Sequence, residues 1–564
     1  MNKFNLTEEP WIPCLMLENN ETKDLSLFEV LSQAHEIKEI TDNSPLVVVS
    51  LHRLLLAILH RNFGPKSFDE WKTLWKQGSW NAEKLKDYFD NRCKDRFNLF
   101  DEERPFYQYP QVLKAGGKEA DIAPLEILMQ EKVAGNNATL FDHSFDESPK
   151  GYSFAFASRS LIARQAYSIG FGKNYPFYLS DSSIIRGFTV LAFGDNLFET
   201  LALNLVVYRN NKPIPTQEDD DGNIFDKPFW ERNELEKASE RDSIEIFDKG
   251  KKKMIQRPDL PNGYLDYLTW QSRQIKLFPE ETDVKVCQIQ QNFKLNDESL
   301  FDPFKCYSAA EKEGWKPRSL LPDKSVWRDS HTLFQQFDNV PSRSGKFYRR
   351  PQIFNLLAQV SNAVQNGEIK GQKTYEFGVF GMATEIGKAA SVILWKQERL
   401  PLPLVFLNDN ELHGKLSTII SFAEDLARIL QSSINKLAFE FLPNIAGKDR
   451  SEKAKKIAEN FPIMSTFWAN LEVTFKRIMI DLPEQQDEAM CEWFEFVDKT
   501  AKQAFSNTAN SLSGSATEQK AIVEAEKKFN IEKHILLHGT KDGKKSGNSI
   551  YRHYLSVKEK EVRL

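Results

Sequence analysis

LPLPLVFL, residues 400–407, is the point at which this chain changes character. A proline-punctuated apolar run gives way to Ile419, Phe422, Leu426, Ile429 and Leu437. Apolar residues recurring every three or four positions mark one face of a helix. The same spacing returns at Ile457, Phe467, Leu471, Phe475 and Ile478. SNTANSLSGSAT, at 506–517, reads as a loop, and amphipathic pieces follow near 518–538 and 549–562. Long amphipathic helices with short polar joints predict an all-α four-helix bundle with a tail over residues 405–564.

Upstream the texture is mixed. The first thirty-five residues read as short strands and turns, punctuated by Pro10 and Pro13. PLVVVSLHRLLLAILH (45–60) predicts a mostly buried helix with proline in its first turn. Residues 68–94 read as helices, whereas Gly, Asn, Asp, Ser and Pro break the pattern from 98 to 185. RGFTVLAFGDNLFETLALNLVVYR (186–209) predicts a second apolar helix starting near Asp195. Residues 210–262, with EDDDG and KGKKK and few apolar side chains, predict an exposed excursion. VKVCQIQQNFKL (284–295) alternates as a strand or hairpin arm does. Residues 1–404 are therefore expected to form a large, irregular α+β domain.

Composition bounds the function. The 564 residues exceed what one hydrophobic core holds, so at least two domains are expected. A hydrophobic fraction of 41% excludes wholesale disorder. No apolar run in the sequence has the length of a membrane span, and the N-terminus lacks a signal-peptide pattern, so a cytosolic protein without membrane partners is expected. Cys14, Cys93, Cys287, Cys306 and Cys491 are scattered, with no CxxC ribbon; a structural zinc is not expected. The net charge of −5 leaves room for nucleic acid only through a local basic face. The 41 phenylalanines suggest large packed surfaces within domains or between subunits.

Catalytic signatures are absent from the sequence. GxxxxGK[ST], HExxH, GxSxG and the EF-hand loop do not occur. His534 and His538 share a helical face, but no third ligand stands near them in sequence. Asp142, His143, Asp146 and Glu147 form either an acid/base or metal cluster or a solvated loop. Lys249–Lys253 holds four lysines, including Lys251, Lys252 and Lys253. RSGKFYRR combines Arg343, Lys346, Arg349 and Arg350 with two aromatics. Such strings suit phosphates and stacked bases, or are merely solvated faces. Gly170-Phe171-Gly172 makes a loop of little bulk, through which backbone can approach a ligand.

Several strings, in order, carry a family resemblance. They begin with Phe4-Asn5-Leu6, Glu9-Pro10-Trp11-Ile12-Pro13, Leu25-Ser26-Leu27 and Arg53-Leu54-Leu55-Leu56-Ala57-Ile58. Arg104-Pro105-Phe106-Tyr107-Gln108, Thr139-Leu140-Phe141-Asp142-His143-Ser144, Gly170-Phe171-Gly172 and Glu398-Arg399-Leu400-Pro401-Leu402-Pro403 follow. With a helical C-terminal third, the chain resembles the large subunit of the type I-E CRISPR Cascade complex, the CasA family. The resemblance implies a non-enzymatic subunit without cofactors. Its implied partners are double-stranded target DNA, the guide RNA with the other Cascade subunits, and the helicase-nuclease recruited after target binding. Its implied work is to inspect the protospacer-adjacent motif (PAM) and help open the duplex while guide pairing reads the sequence.

The resemblance also assigns residues. Phe141, Asp142 and His143 correspond to the loop that reaches the guide's 5′ end and a neighbouring subunit. Gly170, Phe171 and Gly172 correspond to a glycine loop meeting the PAM duplex from the minor groove, where close approach matters because the base code is degenerate. Lys173 departs from the glycine expected there. A hairpin lysine entering the minor groove falls at Asn292 by register, with Lys294 two residues on and favoured as the candidate. The strand-splitting wedge falls within 381–391, where Gly387, Lys388 and Ala389 surround the position at which relatives carry glutamine. An architectural scaffold without PAM sensing, and a metal-dependent hydrolase using the 142–147 cluster, are the alternative readings.

Overall fold

Short antiparallel strands and one long apolar helix organise the N-terminal part. The computed structural model describes the chain outside residues 1–2, 115–116, 130–148, 170–180, 210–211, 218–224, 233–242, 249–250, 257–258, 293, 297–299, 312–313, 339–340, 342–344, 385–391, 444, 446, 513, 541–546, 548–550 and 552–564. It divides into two compact units, residues 1–324 with 336–399, and residues 325–335 with 400–564. A single cut after residue 404 misses the 325–335 piece, which joins the C-terminal unit.

In the first unit, β1 (Ile12–Met16) lies between β2 (Thr22–Leu25) and β3 (Ile37–Ile40). Ser26 and Glu29 close a reciprocal capping box on α1 (Leu27–Ser32). Helix α2 (Pro45–Phe63) has proline at its start and is buried from Pro45 to His60. Contrary to the expectation from the sequence, its length and composition would suit a membrane span, yet it is mostly buried within the protein. Arg53 on this helix is buried and pairs with Asp302 at 3.2 Å, and Tyr267 donates to the same carboxylate at 2.7 Å. Buried charge is tolerated only when paired in this way. Helices α3 (Phe68–Gln77) and α4 (Ala82–Asp87) follow, as expected.

The broken region is more ordered than its composition suggests. It contains β4 (Ile122–Pro124), β5 (Tyr152–Ser153) and α5 (Phe154–Ala166), a helix of 13 residues capped by Ser153. The second apolar segment is not one helix. It is β6 (Thr189–Phe193), buried at every position, followed by α6 (Leu197–Leu203), which Asn196 rather than Asp195 caps. A continuous apolar run carries no period with which to tell a buried strand from a helix.

The expected excursion at 210–262 is also corrected in part. It carries the hairpin β7 (Ser243–Asp248) and β8 (Lys251–Gln256), but residues before the hairpin anchor it. Trp230 is buried. Asp226 is buried and accepts from the backbone N–H of Leu265 and Asp266, the first turn of α7 (Tyr264–Leu268). Glu231 accepts from Arg61 at 2.6 and 2.7 Å. A few large or charged anchors suffice to hold a polar segment.

The hairpin of β9 (Arg273–Pro279) and β10 (Asp283–Gln291) pairs over most of its length. On its other edge β10 pairs with β4 and β5. A second small sheet joins β11 (Tyr307–Ala309), β12 (Lys316–Pro317) and, further on, β13 (Phe347–Arg349). Between these last two strands in sequence lies α8 (Ser330–Leu333), part of the second unit. Helix α9 (Ile353–Gln365) precedes β14 (Thr374–Thr384) and β15 (Val392–Pro403), and β14 lies between β15 and β6.

The second unit contains α10 (Asn410–Glu440), α11 (Gly447–Glu459), α12 (Ile463–Asp481), α13 (Gln486–Asn510) and α14 (Ala516–His538). Helix α10 packs against α11, α13 and α14, and α12 packs against α13. Ser515 and Glu518 cap α14 reciprocally. Because α13 continues to Asn510, the expected loop is shorter than 506–517. Trp327, in the 325–335 piece, is fully buried, with ring centroids 4.5 Å from Phe475, 5.7 Å from Trp468 and 6.1 Å from Trp493. Arg328 lies 3.6 Å over the Trp468 ring and pairs with Glu424 at 2.7 Å. The α+β architecture with a helical C-terminal part is thus borne out.

Removing the Trp327 side chain (W327A) leaves a cavity among three aromatic neighbours. It should cost the second unit about 3–5 kcal/mol, seen as an earlier thermal transition of that unit. A pH dependence is expected in the first unit, where His60 is held between Tyr208 and Tyr264 at 5.6 and 5.0 Å. Burial pushes its imidazole from 6.5 down to about 3, and that of His52 to about 4. The unfolded chain protonates first, so this stability is complete above pH 6.5 and falls with pH toward the folded values. Each histidine contributes a slope of about 1.4 kcal/mol per pH unit in that window. Calorimetry between pH 6.5 and 4.5 should show a shallower loss of stability for H60L than for wild type.

Candidate nucleic-acid interface

Three of the segments singled out in the sequence have their described ends on the β9–β10 hairpin. The 130–148 segment, which includes Phe141, Asp142 and His143, lies outside the described residues, as does all of the 142–147 cluster. Its flanking strands, β4 and β5, pair end to end along one edge of β10: Ile122–Pro124 opposite Val286–Gln288, and Tyr152–Ser153 opposite Asp283–Val284. A further tie joins the two sides, since the Tyr152 hydroxyl donates to Glu126 at 2.7 Å.

Gly170, Phe171, Gly172 and Lys173 also lie outside the described residues, but the residues that flank that segment are tied together. Ser182 donates its N–H to the Ser168 carbonyl at 2.9 Å, and the Ser168 N–H donates to the Ser182 hydroxyl at 2.8 Å. The Ser182 Oγ lies 2.8 Å from the Ser272 Oγ, and Ser272 donates to the Gln165 carbonyl at 2.7 Å. Gln165 in turn brackets Arg273, accepting from its N–H and donating to its carbonyl, both at 2.9 Å. All these groups are buried. The stem is therefore a closed polar network, in which every member depends on the others.

The stem also holds charge. Arg273 is fully buried and donates to the carbonyls of Ser272 at 2.6 Å and Ile169 at 3.0 Å. Burial, with Arg164 nearby, lowers its guanidinium to about 9, and burial lowers that of Arg164 to about 10. Both remain cationic at neutral pH, so the stem carries two guanidiniums in a low-dielectric setting where their field is weakly screened. Neither residue type nor spacing marks Ser182, Ser272, Arg164 or Arg273 in the sequence.

The same serine reaches the hairpin-lysine candidates. The Asn292 N–H donates to the Ser272 carbonyl at 3.1 Å. Asn292 itself corrects the register expectation: it is fully buried, and its amide donates to the Tyr109 hydroxyl at 2.7 Å and to the Gln271 carbonyl at 3.0 Å. Strand β10 ends at Gln291, so strand alternation no longer relates residue 292 to 294. Lys294 is half-buried, and its carbonyl accepts from Asp259 at 2.9 Å. Of the two, only Lys294 keeps a side chain near the surface.

The wedge positions Gly387, Lys388 and Ala389 lie outside the described residues, in the connection between β14 and β15. Lys251, Lys252 and Lys253 belong to β8, where Lys252 is exposed and pairs with Glu245 at 3.0 Å. Arg343 lies outside the described residues and Lys346 is exposed. Arg349 and Arg350 are held by groups of the protein itself. Arg349 lies 4.0 Å over Phe301 and 4.6 Å over Trp315 and pairs with Asp338 at 2.9 Å. Arg350 is buried, lowered to about 10 by burial, and donates to Asn355 at 2.9 Å. In the second unit, α11 exposes Lys448, Lys453, Lys455 and Lys456. The rings of His534 and His538 are 4.6 Å apart, and among the described residues no group of three potential ligands gathers for a metal.

The family model for CRISPR-associated protein Cse1 matches residues 5–504. A CRISPR-associated protein CasA/Cse1 of Thermus thermophilus is 27% identical over 540 residues, covering 94% of this chain and 97% of that protein. The crystal structure of Thermus thermophilus CasA superposes with a TM-score of 0.76 at 25% identity, over 94% of this chain and 99% of that one. Thermobifida fusca Cse1, at 20% identity, gives 0.72 over 94% and 98%, and a chain of a CRISPR RNA-guided surveillance complex, at 19%, gives 0.70 over 94% and 100%. At those lower identities the likeness is one of fold. The match over most of its length settles the kinship: the chain belongs to the Cse1 (CasA) family, the large subunit of the Cascade surveillance complex.

Proposed function

We propose that this chain is the non-catalytic subunit that reads the PAM in duplex DNA, helps open the duplex for guide pairing, and offers a docking surface to the recruited helicase-nuclease. The observation that carries the reading is the common root. The ends of the 130–148 and 170–180 segments and the approach to Lys294 all attach to one hairpin. A guide-contacting loop, a groove-contacting loop and a groove lysine would thereby hold fixed mutual positions, as recognition of a short motif requires. The buried Arg164 and Arg273 add positive potential at the stem of the groove loop, and exposed lysines on β8 and α11 suit the sequence-independent hold on strands. Phe141, Asp142 and His143 then dock the guide end. Gly170, Phe171, Gly172 and Lys173 meet the minor groove, and Gly387, Lys388 and Ala389 part the first base pair.

The decisive measurement is duplex binding by the guide-loaded complex, reconstituted with and without this chain, on targets differing only in the PAM. The chain should add affinity for one motif. Equal gain on every target would leave only the scaffold reading. Within that assay K294A should weaken motif-bearing targets about tenfold, the scale of a charge-assisted hydrogen bond, while the complex still assembles. S272A should act differently. It removes the hydroxyl shared by Ser182 and Gln165, so discrimination between motifs should shrink while affinity for a scrambled target stays unchanged. A uniform loss on all targets would show that Ser272 serves folding alone.

A further inference from the structure

The string Arg104-Pro105-Phe106-Tyr107-Gln108 is not used by the interface described above, yet its first four residues line a small cavity of about 20 Å³ in the first unit. Three arginines line it, Arg96, Arg104 and Arg232, together with Phe106, Tyr107 and Trp230. The aromatic residues are held in place. Trp230 donates its indole N–H to the Tyr88 hydroxyl at 2.7 Å, and its ring lies 6.2 Å from that of Tyr107 at an interplanar angle of 28°. Tyr107 takes φ of 58°, a left-handed conformation that a bulky side chain rarely adopts and that tends to occur at binding sites. The rim is fixed as well: Arg104 Nη1 donates to the Arg232 carbonyl at 2.6 Å, and Arg232 pairs with Asp266. Asp266 offsets the charge of Arg232, and among the described residues no carboxylate pairs with Arg96.

We propose that this cavity is an anion site for a phosphate group. Its volume admits about one or two waters, so it receives the oxygens of a group rather than a whole nucleotide. Guanidiniums match phosphate oxygens with paired N–H donors and stay charged at any working pH. The aromatic lining excludes competing water and strengthens the attraction. The source favoured is a nucleic-acid phosphodiester, which rests on the reading of this chain as a nucleic-acid recognition subunit; free phosphate has the same chemistry.

The test titrates the full chain, at fixed salt, with inorganic phosphate and separately with a short single-stranded oligonucleotide, by calorimetry. Phosphate should bind and should displace part of the oligonucleotide. R96Q should weaken both about tenfold at unchanged melting temperature, and R96K should recover part of the loss. Phosphate binding without displacement of the oligonucleotide would overturn the nucleic-acid source. Undiminished binding of both ligands by R96Q would overturn the site, as would an R96E variant that binds like wild type. The PAM assay on the reconstituted complex separates the two readings. Motif discrimination with a silent Arg96 leaves the recognition role standing and removes the pocket. Loss of discrimination with an intact wild-type pocket does the reverse.

Discussion

The antiparallel ladder between β9 and β10 is the constraint on which the rest of the first unit depends. Pairing from Arg273 opposite Gln291 to Pro279 opposite Val284 leaves one edge of β10 open. That edge is filled by two short strands too small to persist alone, β4 and β5, which flank one long segment. At the start of β9 the same ladder holds Ser272 and Arg273 in place, and these grip both ends of a second segment. A hairpin is stable only when its faces and edges are covered. Here the covering pieces are the described residues that flank residues 130–148 and 170–180, so folding of the hairpin and the joining of those flanks are one event.

The polar chemistry of these stems opposes folding unless every group is satisfied, and its form explains its placement. Arg273 has no surface exposure, and its guanidinium donates to the carbonyl oxygens of Ser272 and Ile169. Backbone carbonyls meet the two terminal nitrogens of that guanidinium. The stem of the 170–180 segment thus holds two buried guanidiniums, with Asp181 close enough to act on that of Arg273. The contrast with Arg53 is instructive: it is equally buried but pairs with Asp302, and it braces α2 against its neighbours as part of a neutral pair.

How much of this is legible in the sequence depends on the range of the interaction. Helix α2 and the long helices of the second unit are readable because their apolar residues repeat within a few positions. Strand β6 reads as helix because it is buried on both faces and so shows no alternation. The anchoring of Asp226 and Trp230 is invisible, since their partners lie some forty residues downstream, at Leu265 and Asp266, or far upstream, at Tyr88. Asn292 and Arg350 read as surface candidates because composition alone does not reveal that an amide or a guanidinium turns inward to a specific acceptor. Trp327 is the clearest case: nothing local tells a tryptophan in VWRD that its neighbours are Trp468, Phe475 and Trp493.

A net charge of −5 and a nucleic-acid role are compatible for a reason visible in the structure. Much of the basic inventory is matched internally: Arg61 by Glu231, Arg328 by Glu424, Arg349 by Asp338, Arg399 by Glu39. Total charge therefore says little about any surface. What matters is where rigid structure fixes a cation: Arg164 and Arg273 in a loop stem, and Arg96 at the mouth of an aromatic cavity. On the proposed reading, such fixed cations are what would let a short motif be told from the rest of a genome.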